Sequence, residues 1–236
     1  MPDILVFVAR LSQYTEKMYN ENRAEPKYLL KKPLRIMKSG PPMNGIKFKP
    51  ILPKDCEVVV CIDAAFAINP DKSSQLGILV LLRDKLTKAV NIIHFASSKS
   101  KRVAKSVLAA ELFALINGFD VGFSIKESLQ RMMGTSQIDL TLVTDSRSLY
   151  GLAISLAQTT ERRLQIDLEV IREAYEKREL NNVVWVAGDE NPADDLTKSE
   201  NRNGTLSKLI STGIFDPKTI SWIDRDLSQV NTLGSN

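Results

Sequence analysis

The order of the strand-like and helical segments constrains the fold of this chain more than any other feature of its sequence. Apolar and β-branched residues concentrate in five predicted strands, at 57–66, 75–83, 89–96, 138–143 and 183–187. Short polar turns separate the first three strands, whereas helical periodicity separates the later ones, at 103–119, 124–133, up to about 156, and 161–180. Strands joined by short turns pair antiparallel, and strands joined by helices pair in parallel. The sequence therefore predicts an α/β fold with a mixed five-stranded sheet and helices on its faces.

The composition is typical of a globular protein, because the 236 residues are 43% hydrophobic and 25% charged. No uninterrupted apolar run approaches the ~20 residues of a membrane-spanning helix, so we expect no membrane partner. An acid, Asp3, stands where a secretion signal carries basic residues. Cys56 and Cys61 flank the first strand without a second Cys or His pair at zinc-like spacing. We therefore expect free thiols and an intracellular protein, either cytoplasmic, as in a virus-like particle, or nuclear.

The net charge of +4 permits a nucleic-acid partner without requiring one. Its distribution is more informative, because the basic residues form two clusters. The first lies in the first quarter of the chain, and the second comprises Lys99, Lys101, Arg102 and Lys105. A phosphate-binding surface and an ordinary solvated surface are both consistent with such clusters.

The two ends of the chain differ from its centre. Residues 3–13 and 27–38 have helical spacing, although Pro33 should bend or interrupt the second helix. Residues 39–45 are rich in Gly and Pro and mark a domain boundary, so we assign 1–50 to a helical segment that docks on another surface. We assign 57–200 to the main domain. Residues 201–236 should form a weakly ordered tail, with short elements only at 206–210 and 220–223.

Two carboxylates occupy positions where a solvated acid is not expected. Asp63 interrupts the apolar first strand, and Glu111 lies on the apolar face of a helix, in line with Leu108 and Leu115. A charge in a strand that is covered on both faces is costly unless it is paired or bound to a metal. A structural salt bridge for Asp63 and a position at the rim of the core for Glu111 are the alternatives.

Two further carboxylates stand at the ends of predicted elements. Asp145 follows the fourth strand, at the edge where open α/β sheets place their ligands, and Asp194 lies in the first turn of a last helix predicted to begin at Pro192. Helix capping explains each of them equally well when taken alone. In the strand order 3-2-1-4-5 strands one and four are neighbours, which places Asp63 beside Asp145. Four converging carboxylates can hold two Mg²⁺ ions about 4 Å apart, with open positions for water and phosphate.

These motifs resemble those of the ribonuclease H domain of retroelement reverse transcriptases, most closely the Ty1/copia class. The residues that carry the resemblance are Ile62-Asp63-Ala64, Ser98 to Lys101 leading to Ala110 to Ala114, Thr144-Asp145-Ser146, and Asn191 to Lys198. The last motif is similar to the family's Ala-Asp-x-Leu-Thr-Lys ending, in which Asp195 is the variable position. The resemblance covers roughly residues 57–200. Residues 2–13 are more faintly similar to the end of the reverse transcriptase that precedes this domain, and no Tyr-x-Asp-Asp polymerase motif occurs in the chain.

The resemblance implies a ribonuclease H-like sheet and an endonuclease that cleaves the RNA strand of RNA–DNA hybrids. It implies that Asp63, Glu111, Asp145 and Asp194 are the catalytic and metal-binding residues, with two Mg²⁺ ions or Mn²⁺ in their place. Substrate contacts are expected from Ser98, Lys99, Lys101, Arg102 and Ser146. The reverse transcriptase domain of the same element is the expected protein partner.

The chain departs from the family pattern at three positions, and two other functions stay open. Ala109 replaces a frequent Glu, the loop 187–191 has no His, and Gly or Ser is absent after Asp63; the only histidine, His94, lies in a strand. A catalytically inactive or domesticated nucleic-acid-binding module would retain the same fold. An integrase-type nuclease is the third reading, although position 181, near the spacing where that class places a Glu, is Asn.

Overall fold

The computed structural model describes residues 4–14, 20–21, 23–39, 46–135, 138–154, 159, 161–198 and 204–218. The strands are β1 Cys56–Ala65, β2 Gln75–Asp84, β3 Val90–Lys99, β4 Asp139–Thr144 and β5 Asn182–Trp185. They form one sheet in the order β3-β2-β1-β4-β5. The β1–β2 and β2–β3 pairs are antiparallel, whereas β1–β4 and β4–β5 are parallel. The predicted mixed five-stranded sheet, in the order 3-2-1-4-5 with strand two antiparallel, is thus confirmed.

Six helices accompany the sheet within the described residues. They are α1 Leu5–Leu11, α2 Ala24–Ser39, α3 Val107–Met133, α4 Arg147–Ile154, α5 Arg162–Glu176 and α6 Thr205–Thr212. Short 3₁₀ turns lie at Pro53–Asp55, Gly188–Glu190 and Asp194–Leu196. Side chains of β1 alternate between two cores, with Val58, Val60 and Ile62 on one face and Val59 and Cys61 on the other. Both faces of the central strands are therefore buried.

Helix α3 packs directly on β1, because two glycines on α3 face the strand. A Cβ atom at Gly118 would lie 2.5 Å from Ile62 Cγ2, and one at Gly122 would lie 2.6 Å from Val60 Cγ2. The sequence predicted two helical pieces here, whereas the structure has one helix of 27 residues. Its length and composition would allow it to cross a membrane, but 56% of its most apolar window is buried in the fold. A helix in the core of a globular protein meets the same criterion of length and composition. In this fold the sheet covers the apolar face of α3.

The opposite face of the sheet is covered by segments from both ends of the described chain. Leu206 and Leu209 of α6 are buried there together with Phe215, and Leu5 of α1 packs against the same cluster. Asp195 is fully buried and accepts a hydrogen bond from the Leu206 backbone N–H at 3.0 Å. The short element predicted at 206–210 is confirmed as α6, whereas the expectation of a weakly ordered tail is wrong for residues 204–218, because their apolar side chains complete a core. The elements predicted at 220–223 lie outside the described residues.

The N-terminal helices form a pair that rests on the β3 side of the sheet. Phe7 of α1 and Leu29 of α2 are fully buried against each other's helix, and Arg10 forms an ion pair with Glu25. Of the two predicted effects of Pro33, a bend or an interruption, the interruption does not occur, because helix α2 continues through Pro33. A proline ring costs a helix one backbone hydrogen bond, and the packing of α2 on α1 offsets that cost. The boundaries proposed at residues 50, 57 and 200 remain predictions.

Candidate functional site

Three of the four predicted carboxylates meet at the carboxyl ends of β1 and β4. The parallel register pairs Cys61 with Val143, so Asp63 and Asp145, two residues further along each strand, come to lie side by side. Glu111 reaches the same place from α3. Each of the three acids offers one oxygen, and these oxygens lie within 4.8 Å of one another. The topology therefore brings Asp63, Glu111 and Asp145 together as the sequence predicted.

Burial makes this group of acids electrostatically unfavourable without a counter-charge. Asp63 is 4% exposed and Glu111 6% exposed. Burial, together with the charge of Asp145, raises the pKa of Asp63 to about 7, although a hydrogen bond from Thr197 acts in the opposite direction. Burial and the charges of Asp63 and Asp145 raise the pKa of Glu111 to about 9. Burial also raises the pKa of Asp145. The positive charge of Lys198 lowers the pKa of all three carboxyls but does not offset the effect of their burial.

The donor atoms of this group fit a hard divalent cation. Glu111 Oε2 is buried and has no hydrogen-bond partner among the described residues. Buried carboxylate oxygens are rarely left unpaired, because each loses its hydration without compensation. Three carboxylates supply the oxygen ligands that Mg²⁺ and Mn²⁺ prefer. Asp63, Glu111 and Asp145 would therefore hold such an ion, whose charge would restore the ionised state of all three.

Asp194 lies beside this group without belonging to it. Its buried carboxylate forms an ion pair with Lys198, and burial raises its pKa while that ion pair lowers it. The predicted helix at Pro192 is wrong, because the chain forms a single 3₁₀ turn over Asp194–Leu196. The Asn191 side chain holds the start of this turn. Its Oδ1 accepts the Ala193 N–H at 3.1 Å, and its Nδ2 donates to the Ile62 carbonyl at 2.9 Å. That turn is thereby fastened to β1, one residue before Asp63.

Thr197 and Gly77 complete the surroundings of Asp63, and neither was identified as a site residue from the sequence. The buried hydroxyl of Thr197 donates to Asp63 Oδ2. Gly77 is paired with Asp63 across the β1–β2 ladder. A Cβ atom at Gly77 would lie 2.8 Å from Thr197 Cγ2 and 2.9 Å from the Ala193 carbonyl oxygen. The glycine therefore makes the room that allows this turn to lie against the sheet, and an isolated strand glycine was the signal for it.

Two of the predicted substrate-binding residues at and beside the second basic cluster, Lys99 and Arg102, form ion pairs within the protein. Ser98 and Lys99 belong to β3, both exposed, and Lys99 forms an ion pair with Asp71. Arg102 binds Asp167 through two hydrogen bonds of 3.0 and 2.7 Å, and it lies over the Phe113 ring at 3.9 Å. Lys101 is exposed and has no ion-pair partner among the described residues. Of the four, Lys101 is therefore the most available to a phosphate.

The backbone around Asp145 is fixed by its neighbours. The Ser146 hydroxyl accepts the Leu149 N–H at 3.3 Å and so caps α4, a structural role beside the predicted substrate contact. Trp185 Nε1 donates to the Asp145 carbonyl at 2.7 Å, and the Arg147 guanidinium lies 4.5 Å from the centre of the Trp185 ring. A Cβ atom at Gly188 would lie 3.3 Å from Asp145 Oδ2, so the loop after β5 passes close to the site.

Comparison with known proteins gives weak similarities. No family model matches the sequence. A ribonuclease H1 isolated from compost by a metagenomic approach is 17% identical, over 65% of this chain and 98% of its own, with a TM-score of 0.46. The ribonuclease H1 of Halobacterium salinarum NRC-1 is 18% identical, over 64% and 98%, with a TM-score of 0.43. The protease-reverse transcriptase of prototype foamy virus is 14% identical, over 70% of this chain and 22% of its own, with a TM-score of 0.40. At these values the fold assignment rests on the strand order, and the function must be inferred from the carboxylate group.

Proposed function

We propose that this protein is a divalent-metal-dependent endonuclease that cleaves the RNA strand of RNA–DNA hybrids. The observation that carries the proposal is the convergence of Asp63, Glu111 and Asp145, with the buried Glu111 Oε2 left without a partner. Perturbed carboxylates grouped at the carboxyl ends of neighbouring strands are typical of a catalytic site. A structural group of acids would instead carry its own cation, as Glu57 does in its buried ion pair with Arg83.

The reaction we propose is hydrolysis of a phosphodiester. The oxygen of a water molecule bonds to phosphorus, the P–O3′ bond breaks, and the products are a 5′-phosphate and a 3′-hydroxyl. Bound divalent cations would activate the water and stabilise the departing 3′ oxygen. Asp63, Glu111 and Asp145 provide the ligands, while Thr197 fixes the orientation of the Asp63 carboxylate. Asp194, which forms an ion pair with Lys198, is the remaining predicted ligand, and we propose it as a ligand of a second ion.

Contact with the hybrid is proposed for the surface around Lys101. Phosphate contacts from Lys or Arg provide affinity without sequence preference, and the 2′-hydroxyl distinguishes RNA from DNA. Lys99 and Arg102 are paired with Asp71 and Asp167, so a phosphate would have to compete with those carboxylates. We therefore assign the larger contribution to Lys101, and a smaller one to Lys99 and Arg102.

The Ty1/copia origin is also a proposal. It is supported by the Asn191–Lys198 motif, whose Asn191, Asp194, Thr197 and Lys198 side chains all contact the site or its supporting turn. In that setting the reverse transcriptase domain of the same element is the protein partner, and the location is a cytoplasmic particle or the nucleus. Co-purification with the polymerase domain of such an element tests the partnership.

The decisive experiment is a gel assay of a hybrid labelled on its RNA strand, with and without Mg²⁺, beside an RNA duplex and a DNA duplex. We expect Mg²⁺-dependent cleavage of the hybrid alone. Asp145→Asn should reduce the rate by about 10²-fold or more, because the lost charge weakens metal binding. The matched control is Asp120→Asn, an exposed acid on the helix that also carries Glu111.

Two outcomes would contradict the proposal in different ways. If the Asp145→Asn protein cleaves the hybrid at the wild-type rate, the three clustered carboxylates do not take part in the reaction. A wild-type protein that binds the hybrid, measured by fluorescence polarisation, yet never cleaves it in Mg²⁺ or Mn²⁺ would identify a non-catalytic nucleic-acid-binding module.

A further inference from the structure

A directed series of hydrogen bonds connects helix α1 with the turn that carries Asp194. Gln13 Nε2, just after α1, donates to Gln75 Oε1 at 3.3 Å. Gln75 Nε2 donates to Ser97 Oγ at 2.9 Å, and the Ser97 hydroxyl donates to the Leu196 carbonyl at 2.6 Å. We call this series the Gln75 relay. It ends one residue before Thr197, whose own hydroxyl binds Asp63.

Gln75 occupies a position where an apolar residue would be the simpler choice. It is fully buried at the start of β2, opposite Ala65 and Lys99. Its Oε1 also accepts a hydrogen bond from Asn69 Nδ2 at 3.2 Å, so the buried amide is well satisfied. Burying an amide stabilises a fold little, since its hydrogen bonds mainly compensate for lost hydration. The Gln75 relay therefore fixes the positions of the groups that it connects more than it stabilises the fold.

Ser97 gives the relay its direction. A hydroxyl carries one hydrogen, and because Gln75 already donates to Ser97 Oγ, that hydrogen is left for the Leu196 carbonyl. The same turn is held on its other side by Asn191, which donates to the Ile62 carbonyl. Gly77 allows the turn to approach the sheet closely enough for both contacts. The turn is thus fixed between β1 and β3.

We infer that Gln13, Gln75 and Ser97 are positioning residues of the candidate site, and that α1 belongs to that site. The claim that these residues affect catalysis rests on the proposed nuclease function. The claim that they fix the position of the Asp194–Leu196 turn rests on the hydrogen bonds alone. The relay acts through the backbone of Leu196, which sets the placement of Asp194 and Thr197 relative to Asp63. Residues before the motif-bearing part of the chain therefore influence metal binding.

Amide hydrogen exchange of the full-length, metal-free protein tests the relay without any need for activity. The amides of Leu196, Thr197 and Lys198 are bonded within the turn, to Ala193 and Asp194 carbonyls. We expect about tenfold faster exchange there in Ser97→Ala and Gln75→Met, and about threefold in Gln13→Ala, whose contact is longer and half-buried. Ser97→Thr retains the hydroxyl and should exchange like wild type.

Matched controls separate a local effect from loss of stability. Ser128→Ala removes an exposed hydroxyl on α3, and Ser12→Ala removes one beside Gln13; both hydroxyls bond only within their own helix region. Neither change should alter exchange in the turn. Wild-type exchange in Ser97→Ala and Gln75→Met, or equal acceleration throughout the sheet, would overturn the positioning role. If the turn amides of the Gln13→Ala protein exchange at the wild-type rate, α1 does not help to position the site.

The catalytic consequence is measured separately. If the wild type cleaves hybrids, Ser97→Ala should raise the Mg²⁺ concentration for half-maximal rate by about fivefold or more, because Asp194 is displaced, and leave KM for the hybrid unchanged. A lower rate at an unchanged Mg²⁺ midpoint would contradict that role. A wild-type protein without cleavage would contradict the nuclease function, while the exchange result would still decide the relay.

Discussion

Replacing Glu111 with Gln should make the metal-free protein more stable and the enzyme inactive. Glu111 is buried beside Asp63 and Asp145, with one oxygen unpartnered, and its pKa is raised from an ordinary 4.5 to about 9. At neutral pH the folded protein must therefore keep this carboxyl protonated, whereas the unfolded chain ionises it. A glutamine has nearly the same shape, is neutral at every pH, and can donate from its amide to the neighbouring carboxylates.

The size of the effect follows from linkage between protonation and folding. Holding a proton at pH 7 on a group with an unfolded pKa of 4.5 costs about 1.4 kcal/mol for each of the roughly 2.5 pH units between them, or ~3.5 kcal/mol. Relaxation of the site and entry of water reduce this value, so we expect a gain of about 1–3 kcal/mol. For a protein of this size that corresponds to a rise in Tm of about 2–12 °C.

Thermal unfolding in EDTA at several pH values is the assay. Because the folded pKa lies above the unfolded one, the cost in the wild type is absent below pH 4.5 and grows as the pH rises toward 9. The advantage of Glu111→Gln should follow the same course. Mg²⁺ should stabilise the wild type, more at pH 8 than at pH 5, and should not stabilise the variant.

Glu127→Gln, half-exposed on the same helix, is the control and should leave both stability and cleavage unchanged. A Glu111→Gln protein that is less stable than wild type without metal would refute the account of an uncompensated buried carboxylate. One that still cleaves hybrids at the wild-type rate would refute the ligand role.

Three further changes have defined outcomes. Gly77→Ala should lower cleavage at least tenfold, because its Cβ must displace Thr197 Cγ2 at 2.8 Å; circular dichroism should show a folded protein, and full activity would contradict the close approach. Gly118→Ala should cost about 1–3 kcal/mol in urea unfolding, since its Cβ would meet Ile62 Cγ2 at 2.5 Å, while Gly151→Ala, which meets nothing within 4 Å, should be neutral or stabilising. Lys101→Ala should weaken hybrid binding and lower the slope of log affinity against log salt by about one, an effect larger than that of Lys99→Ala; the reverse order would contradict the assignment from ion pairing.

The sheet and the three clustered acids could be predicted from the sequence, because the patterns that indicate them lie in short segments of the chain. Asp63 stands out as a charge within a strand that is apolar on both faces, and Glu111 as an acid on the apolar face of a helix. The neighbouring positions of β1 and β4 then place Asp63 beside Asp145. Each of these inferences needs only periodicity and strand order.

What the sequence did not disclose depends on tertiary contacts. The sequence predicted two helical pieces, at 103–119 and 124–133, where the structure has one helix, α3, whose Gly118 and Gly122 pack closely on β1. The ion pair of Lys198 with Asp194 depends on the 3₁₀ turn that Asn191 imposes. Asp195 occupies the variable position of the motif, yet it is buried and caps α6 across eleven residues of chain. Side chains that serve a distant backbone group have no periodicity to reveal them.

The manner in which the second face of the sheet is closed bears on how this protein should be handled in the laboratory. A recombinant fragment trimmed to the motif-bearing residues 57–200 would lose Leu206, Leu209 and Phe215, together with Leu5 from the other end. Val59, Cys61, Leu79 and Leu81 would then lose part of their cover, and the apolar surface so exposed favours self-association and precipitation. A fragment whose ends are chosen from the catalytic motifs alone should therefore be insoluble, even though it contains all four acids.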